Sequence, residues 1–113
     1  MDRLLVETFK ALSDQNRLRI LALLRREPLF VGEISRALHL AFSTASQHLA
    51  ILRDAGFIID AKAGRWVKYA LDQRSSNLYA RSMLNLLEQW IGEENSFKLV
   101  IASLLKKRPA IRC

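Results

Sequence analysis

At 113 residues, half of them hydrophobic and about a quarter charged, the chain has the composition of one folded domain and not of a disordered segment. Its single cysteine, Cys113, excludes an intrachain disulfide framework and a cysteine-built zinc cluster. No apolar run approaches the roughly 18 to 20 residues that span a bilayer. Eighteen Lys and Arg against eleven Asp and Glu give a formal charge of +7, a field that draws polyanions such as nucleic acid.

Met1 to Glu7 lack the charged-then-apolar layout of a secretory leader, so cytoplasmic residence without a membrane partner is expected. Leu5, Phe9 and Leu12 fall at i, i+4 and i+7, predicting an amphipathic helix over residues 2–12. Ser13-Asp14 supplies a cap for a second helix through Asn16–Leu24, which Glu27-Pro28 stops. A short third helix carries Val31, Ile34 and Leu38 on one face, and His39-Leu40 breaks it. A fourth helix follows from about Phe42 to Ala55, with Ala45, Leu49 and Leu52 inward and Ser43, Gln47, Ala50 and Asp54 opposite.

Gly56 closes that helix, and the period then changes from 3.6 to 2. Phe57–Ala61 and Trp66–Leu71, β-branched and aromatic, flank Ala63-Gly64 as a hairpin. Ser75 or Ser76 can cap a last helix carrying Leu78, Met83, Leu84, Leu87, Trp90 and Ile91. Gly92 and Asn95 weaken the pattern, and Phe97, Val100, Ile101, Leu104 and Leu105 resume it to Lys107, ahead of Pro109. Whether this helix is continuous through Gly92 is open. The expected fold is mainly α with a small β-hairpin.

Two short helices joined by a tight turn, the second exposing slim polar side chains, make a helix-turn-helix over residues 31–55. A major groove about 12 Å wide admits such a helix, and Ser43, Thr44, Ser46 and Gln47 can hydrogen-bond base edges and phosphates. A merely solvated polar face explains this helix alone equally well. The hairpin at residues 57–71 tilts the reading, because Lys62, Arg65 and Lys68 cluster around Gly64 and can reach neighbouring phosphates. Trp66 and Tyr69 are read as hairpin packing.

These motifs, in this order across residues 7–71, resemble the ArsR/SmtB family of winged helix-turn-helix repressors. Phe9–Asp14 with Arg17–Leu21 is similar to the family's opening, Ser43–Gly56 to its recognition helix and Gly64–Leu71 to its wing. The resemblance implies one winged helix-turn-helix domain over residues 1–113 and a homodimer paired through helices at residues 2–12 and 75–107. It also implies repression by binding DNA, relieved when an inducer, often a metal or metalloid, binds. One departure is Ala41, which stands where the family commonly has a Ser or Thr N-cap. Starting the helix later, at Ser43, is the remedy the sequence offers.

No cofactor is expected. Where arsenic sensors of the family often carry Cys-Val-Cys, this chain has Phe30-Val31-Gly32. The last helix lacks the His that zinc-sensing members use, so the usual thiolate and His/Asp metal sites are absent. His39 is read as a lone surface or packing residue. His48 matches a family histidine and either touches a phosphate or packs inward. Cys113 is an incidental thiol, or it links two copies on oxidation.

Leu5, Phe9, Met83, Leu87 and Trp90 are the candidates for the dimer interface, since the terminal helices hold more apolar surface than one small core needs. Palindromic DNA is the expected partner. The rival from another class is a winged-helix module for protein assembly. Catalysis is not expected, because Ser43, Ser46 and His48 share one helix with no orienting third group. The inducer, the operator and the regulated genes are not legible.

Overall fold

The computed structural model describes residues 2–91, the last two of them in backbone only. Helix α1 (Arg3–Leu12) starts at Asp2, whose carboxylate accepts from Leu4 N–H at 2.9 Å. Its inward face is Thr8, Ala11 and Leu12. Phe9, expected on that stripe, is 49% exposed, because the helix leans on its neighbours one position further round. Helix α2 (Gln15–Arg26) is capped by Asp14, as expected, with Oδ1 accepting from Asn16 and Arg17 N–H at 2.8 and 3.1 Å. Its Ile20, Leu21, Leu23 and Leu24 are buried at the centre of the core, and Pro28 bars further helix.

The chain next forms a two-residue strand, β1 (Leu29–Phe30), that the sequence pattern did not announce. Helix α3 (Val31–Leu38) follows, with Phe30 N–H donating to Glu33 Oε1 at 2.9 Å. It ends at His39, whose φ of 55° reverses the chain. Helix α4 (Phe42–Asp54) places Ala45, Leu49 and Leu52 fully inside. Ala41 is its N-cap without a side-chain bond. Ser43 does not take over that role, since the helix already runs from Phe42.

Strands β2 (Ile58–Ala63) and β3 (Trp66–Leu71) pair antiparallel from Ile58↔Leu71 to Ala63↔Trp66. β1 adds to the far edge of β3, giving the order β1-β3-β2. The hairpin loop is Gly64-Arg65, with Gly64 at φ 67°. A positive φ at the first central residue suits the right-handed twist of the flanking strands.

Helix α5 (Leu78–Ile91) closes the domain against α1 and α2. Its cap is Asn77, whose Oδ1 accepts from Tyr79 and Ala80 N–H at 3.0 and 3.4 Å. The expected Ser75 instead accepts from Asn77 N–H at 3.1 Å, one step earlier in the same turn. The continuation of this helix past Gly92 to Lys107, the stop at Pro109 and the Cys113 tail lie outside the described residues, as does the Trp90 side chain.

Candidate nucleic-acid interface

Helix α4 has two faces because 3.6 residues per turn bring positions 45, 49 and 52 to one side. That side is sealed by α2, α3 and the sheet, so the opposite ridge must face outward. On the ridge Ser43 and Gln47 are exposed and Ala50 is half-exposed, while Thr44 and Ser46 are half-exposed on its flanks. None of these side chains is longer than Gln, so the ridge is narrow enough for a groove. Asp54, at the far end of the ridge, has Arg53 Nε at 3.5 Å from its carboxylate, which offsets an anion that DNA would repel.

Arg53 also joins the helix to the wing, with Nη1 donating to Asp60 Oδ2 on β2 at 3.4 Å. The bond to Asp60 raises the Arg53 pKa, chiefly through this contact. Tyr69 packs on the same side of the sheet, and burial, with the nearby Asp60 carboxylate, raises its phenol pKa. Tyr69 thus packs on the hairpin as expected.

The three wing cations do not form one cluster. Arg65 lies at the loop, its guanidinium 5.1 Å from the centroid of the Trp66 ring. Lys62 is one pair below the loop's closing pair, opposite Val67. Lys68 is opposite Ala61, on the other face of the ladder, with its ammonium 5.2 Å from the Phe30 ring. The cause is strand alternation: residues 62 and 68 belong to pairs one step apart, so they project to opposite sides. Lys62 and Arg65 remain exposed.

His48 points inward, with its side chain only 13% exposed. Arg17 Nη1 lies 3.1 Å from its Nδ1. A guanidinium can only donate, so Nδ1 is the acceptor in this contact, and Nε2 lies 4.0 Å from Asp14 Oδ1. Arg17 also donates from Nε to Ala11 O at 2.7 Å and from Nη2 to Lys10 O at 3.3 Å. One side chain therefore holds the end of α1 against α4. Sequence reasoning missed Arg17 as a positioning residue, because its partner His48 lies 31 residues away.

Among the proposed interface residues, Phe9 is exposed and Leu5 is half-buried. Met83 packs against the protomer's own core, and Leu87 belongs to it. Among the described residues, the exposed large apolar side chains on α1 and α5 are Leu4, Val6, Phe9, Leu78 and Leu86. The two helices are tied side by side by Tyr79 O–H donating to Asp2, which lowers the Asp2 pKa, and by Asn77 Nδ2 donating to buried Thr8 Oγ1 at 2.9 Å.

Among the described residues no three His, Cys, Asp or Glu side chains converge on a possible metal position, and no helix is long and apolar enough to cross a membrane. Exposed His39 stands alone at a helix end, and His48 is already engaged by Arg17. These residues do not fit a metal-sensing centre.

A model of the family described as "Bacterial regulatory protein, arsR family" matches residues 14–60, the stretch that contains α2 to α4 and the start of the wing. The arsenical resistance operon repressor of Escherichia coli (strain K12) is 32% identical over 103 residues, covering 90% of this chain and 86% of that protein. The transcriptional activator HlyU of Vibrio cholerae serotype O1 is 37% identical over 90 residues, 80% of each chain. A solved structure of HlyU from Vibrio cholerae N16961 superposes with a TM-score of 0.66 at 35% identity, covering 79% of this chain and 96% of that one.

Proposed function

The chain belongs to the ArsR family of bacterial regulatory proteins and is a DNA-binding transcription regulator, and from that premise we propose how it works. It acts in the cytoplasm as a homodimeric repressor that covers a palindromic operator, with half-sites about 10 bp apart or a multiple of it. Ser43, Thr44, Ser46 and Gln47 enter the major groove. Lys62 and Arg65 hold neighbouring phosphates, and Lys68 adds its charge from the far face of the wing.

The observation that carries this reading is the slim polar ridge of α4, set on a fully buried stripe and tied by Arg53 to a basic hairpin. His48 acts behind that surface, as the point where Arg17 steadies the helix. Exposed apolar residues of α1 and α5 pair the two copies. The inducer is not one of the family's thiolate-bound metalloids, since Phe30-Val31-Gly32 offers no sulfur. An assembly module without a DNA site has no support in this geometry or in the relatives' names.

Two substitutions test the division of labour. Gln47→Ala removes a side chain suited to bidentate bonds with adenine. It should flatten the preference at one base pair of each half-site by about 1–3 kcal/mol. Arg65→Ala removes a phosphate contact and should weaken binding to all duplexes alike, lowering the salt slope by about one. Binding titrations over single-base operator variants at several salt concentrations separate the two. The reverse assignment would mean that the wing reads sequence and α4 does not.

A further inference from the structure

We propose that Phe42 reads the C5-methyl group of a thymine in the major groove, a step that rests on the DNA-binding reading above. Phe42 is the first residue of α4 and is 54% exposed, the second most exposed of the large apolar side chains among the described residues. It lies seven residues before Leu49 and three before Ala45, so it leaves the helix on the side of the inner stripe. Ala45 and Leu49 are sealed, yet the core ends one turn short of Phe42. The core leaves the Phe42 ring uncovered, and Ser43 next to it in the chain is exposed as well.

The N-terminal end of a recognition helix is the end that meets base edges. A phenyl ring offers neither donor nor acceptor, and the major-groove edges of the four base pairs carry one apolar feature, the thymine methyl. The chemistry of the side chain therefore selects the base. A second observation brings DNA to this place. Ala41 provides no capping oxygen, so the first-turn amides of Phe42, Ser43 and Thr44 have no side-chain acceptor among the described residues. A phosphate oxygen is the acceptor that the open end of such a helix takes.

The test starts with the purified full chain and a pool of randomised duplexes, from which the preferred sequence is selected. Each thymine of that duplex is then replaced in turn by deoxyuridine, which removes the methyl and keeps the hydrogen-bonding edge. The expected result is one thymine per half-site at which uridine weakens the wild type about fourfold, the size of one buried methyl group. Phe42→Ala should bind thymine and uridine duplexes equally, and Phe42→Leu, still apolar, should keep part of the difference.

A selected duplex bound equally well in every uridine form, or a Phe42→Ala protein that still discriminates, would overturn this assignment and leave DNA binding intact. A pool from which nothing is enriched would overturn the DNA reading itself, and this one with it. Sedimentation velocity on Phe42→Ala completes the test: a dimer is expected, and dissociation to monomer would place the ring between copies instead of in the groove.

Discussion

Replacing Gly56 by Ala is expected to destabilise the protein by about 2–4 kcal/mol, lowering its melting temperature by roughly 10 °C or more. Gly56 turns the chain from α4 into β2 with φ at 90°, a region L side chains rarely occupy. A Cβ there would sit 2.6 Å from Ser75 Oγ and 3.1 Å from Asn77 Cβ. Neither neighbour gives way easily, because Ser75 accepts from Asn77 N–H and Asn77 is bonded to three elements.

Gly64→Ala is the control. Its φ of 67° carries the backbone cost, but nothing lies within 4 Å of the added carbon. That substitution should cost only about 1 kcal/mol. Equal melting temperatures for the two variants would mean that the corner relaxes freely and is no rigid joint.

The second large effect is at Asn77 itself. Its Nδ2 donates to Thr8 Oγ1 at 2.9 Å and to Ala55 O at 2.8 Å, while Oδ1 caps α5. One buried amide thus joins α1, the end of α4 and the start of α5. Asn77→Ala forfeits a cap worth about 0.5–2 kcal/mol and strands buried polar atoms at about 1–3 kcal/mol more. A loss of about 3 kcal/mol in urea unfolding is expected.

Asn77→Asp separates these contributions, since a carboxylate keeps the cap but meets Ala55 O with no proton to give. It should not rescue stability at pH 8. Burial against a carbonyl raises the folded pKa of the new carboxyl above its unfolded value. Its penalty therefore fades as the pH falls through that raised pKa, and the deficit should shrink near pH 5. Full rescue at pH 8 would show that capping is the residue's whole role.

These joints explain why some of the molecule was legible in the sequence and some was not. Periodicity and capping are local signals, so α3 and α4 stood out from the spacing of Ile34, Leu49, Leu52 and their neighbours, α2 from its Ser13-Asp14 cap and Glu27-Pro28 stop, and the hairpin from its β-branched and aromatic runs. β1 has two residues, too few for alternation to register, and it exists because Leu29 and Phe30 find Tyr69 and Lys68 across the sheet.

The wing cations depend on ladder register. Sequence placed the turn at Ala63-Gly64, whereas the loop is Gly64-Arg65. That step takes Arg65 out of the ladder, where it would have paired with Lys62, and puts it in the loop, while Lys62 and Lys68 project to opposite faces in either register. Asn77 and Arg17 work through partners 69 and 31 residues away, which no local pattern encodes. At the candidate site, the outward ridge of α4 was readable because the helix has one buried face. His48 borders the buried stripe, three residues after Ala45 and four before Leu52, but its engagement by Arg17 and Asp14 joins residues more than 30 positions apart and left no local trace.

The central claim is sequence-specific binding of DNA by the polar ridge of α4 and the wing. Its most direct test is a fluorescence anisotropy titration of the purified protein against its own upstream DNA and a scrambled duplex of equal length, at fixed physiological salt. The expected result is a preference of about 10³-fold or more for the upstream duplex, with affinity falling steeply as salt is added. Equal, weak binding to both duplexes would contradict it.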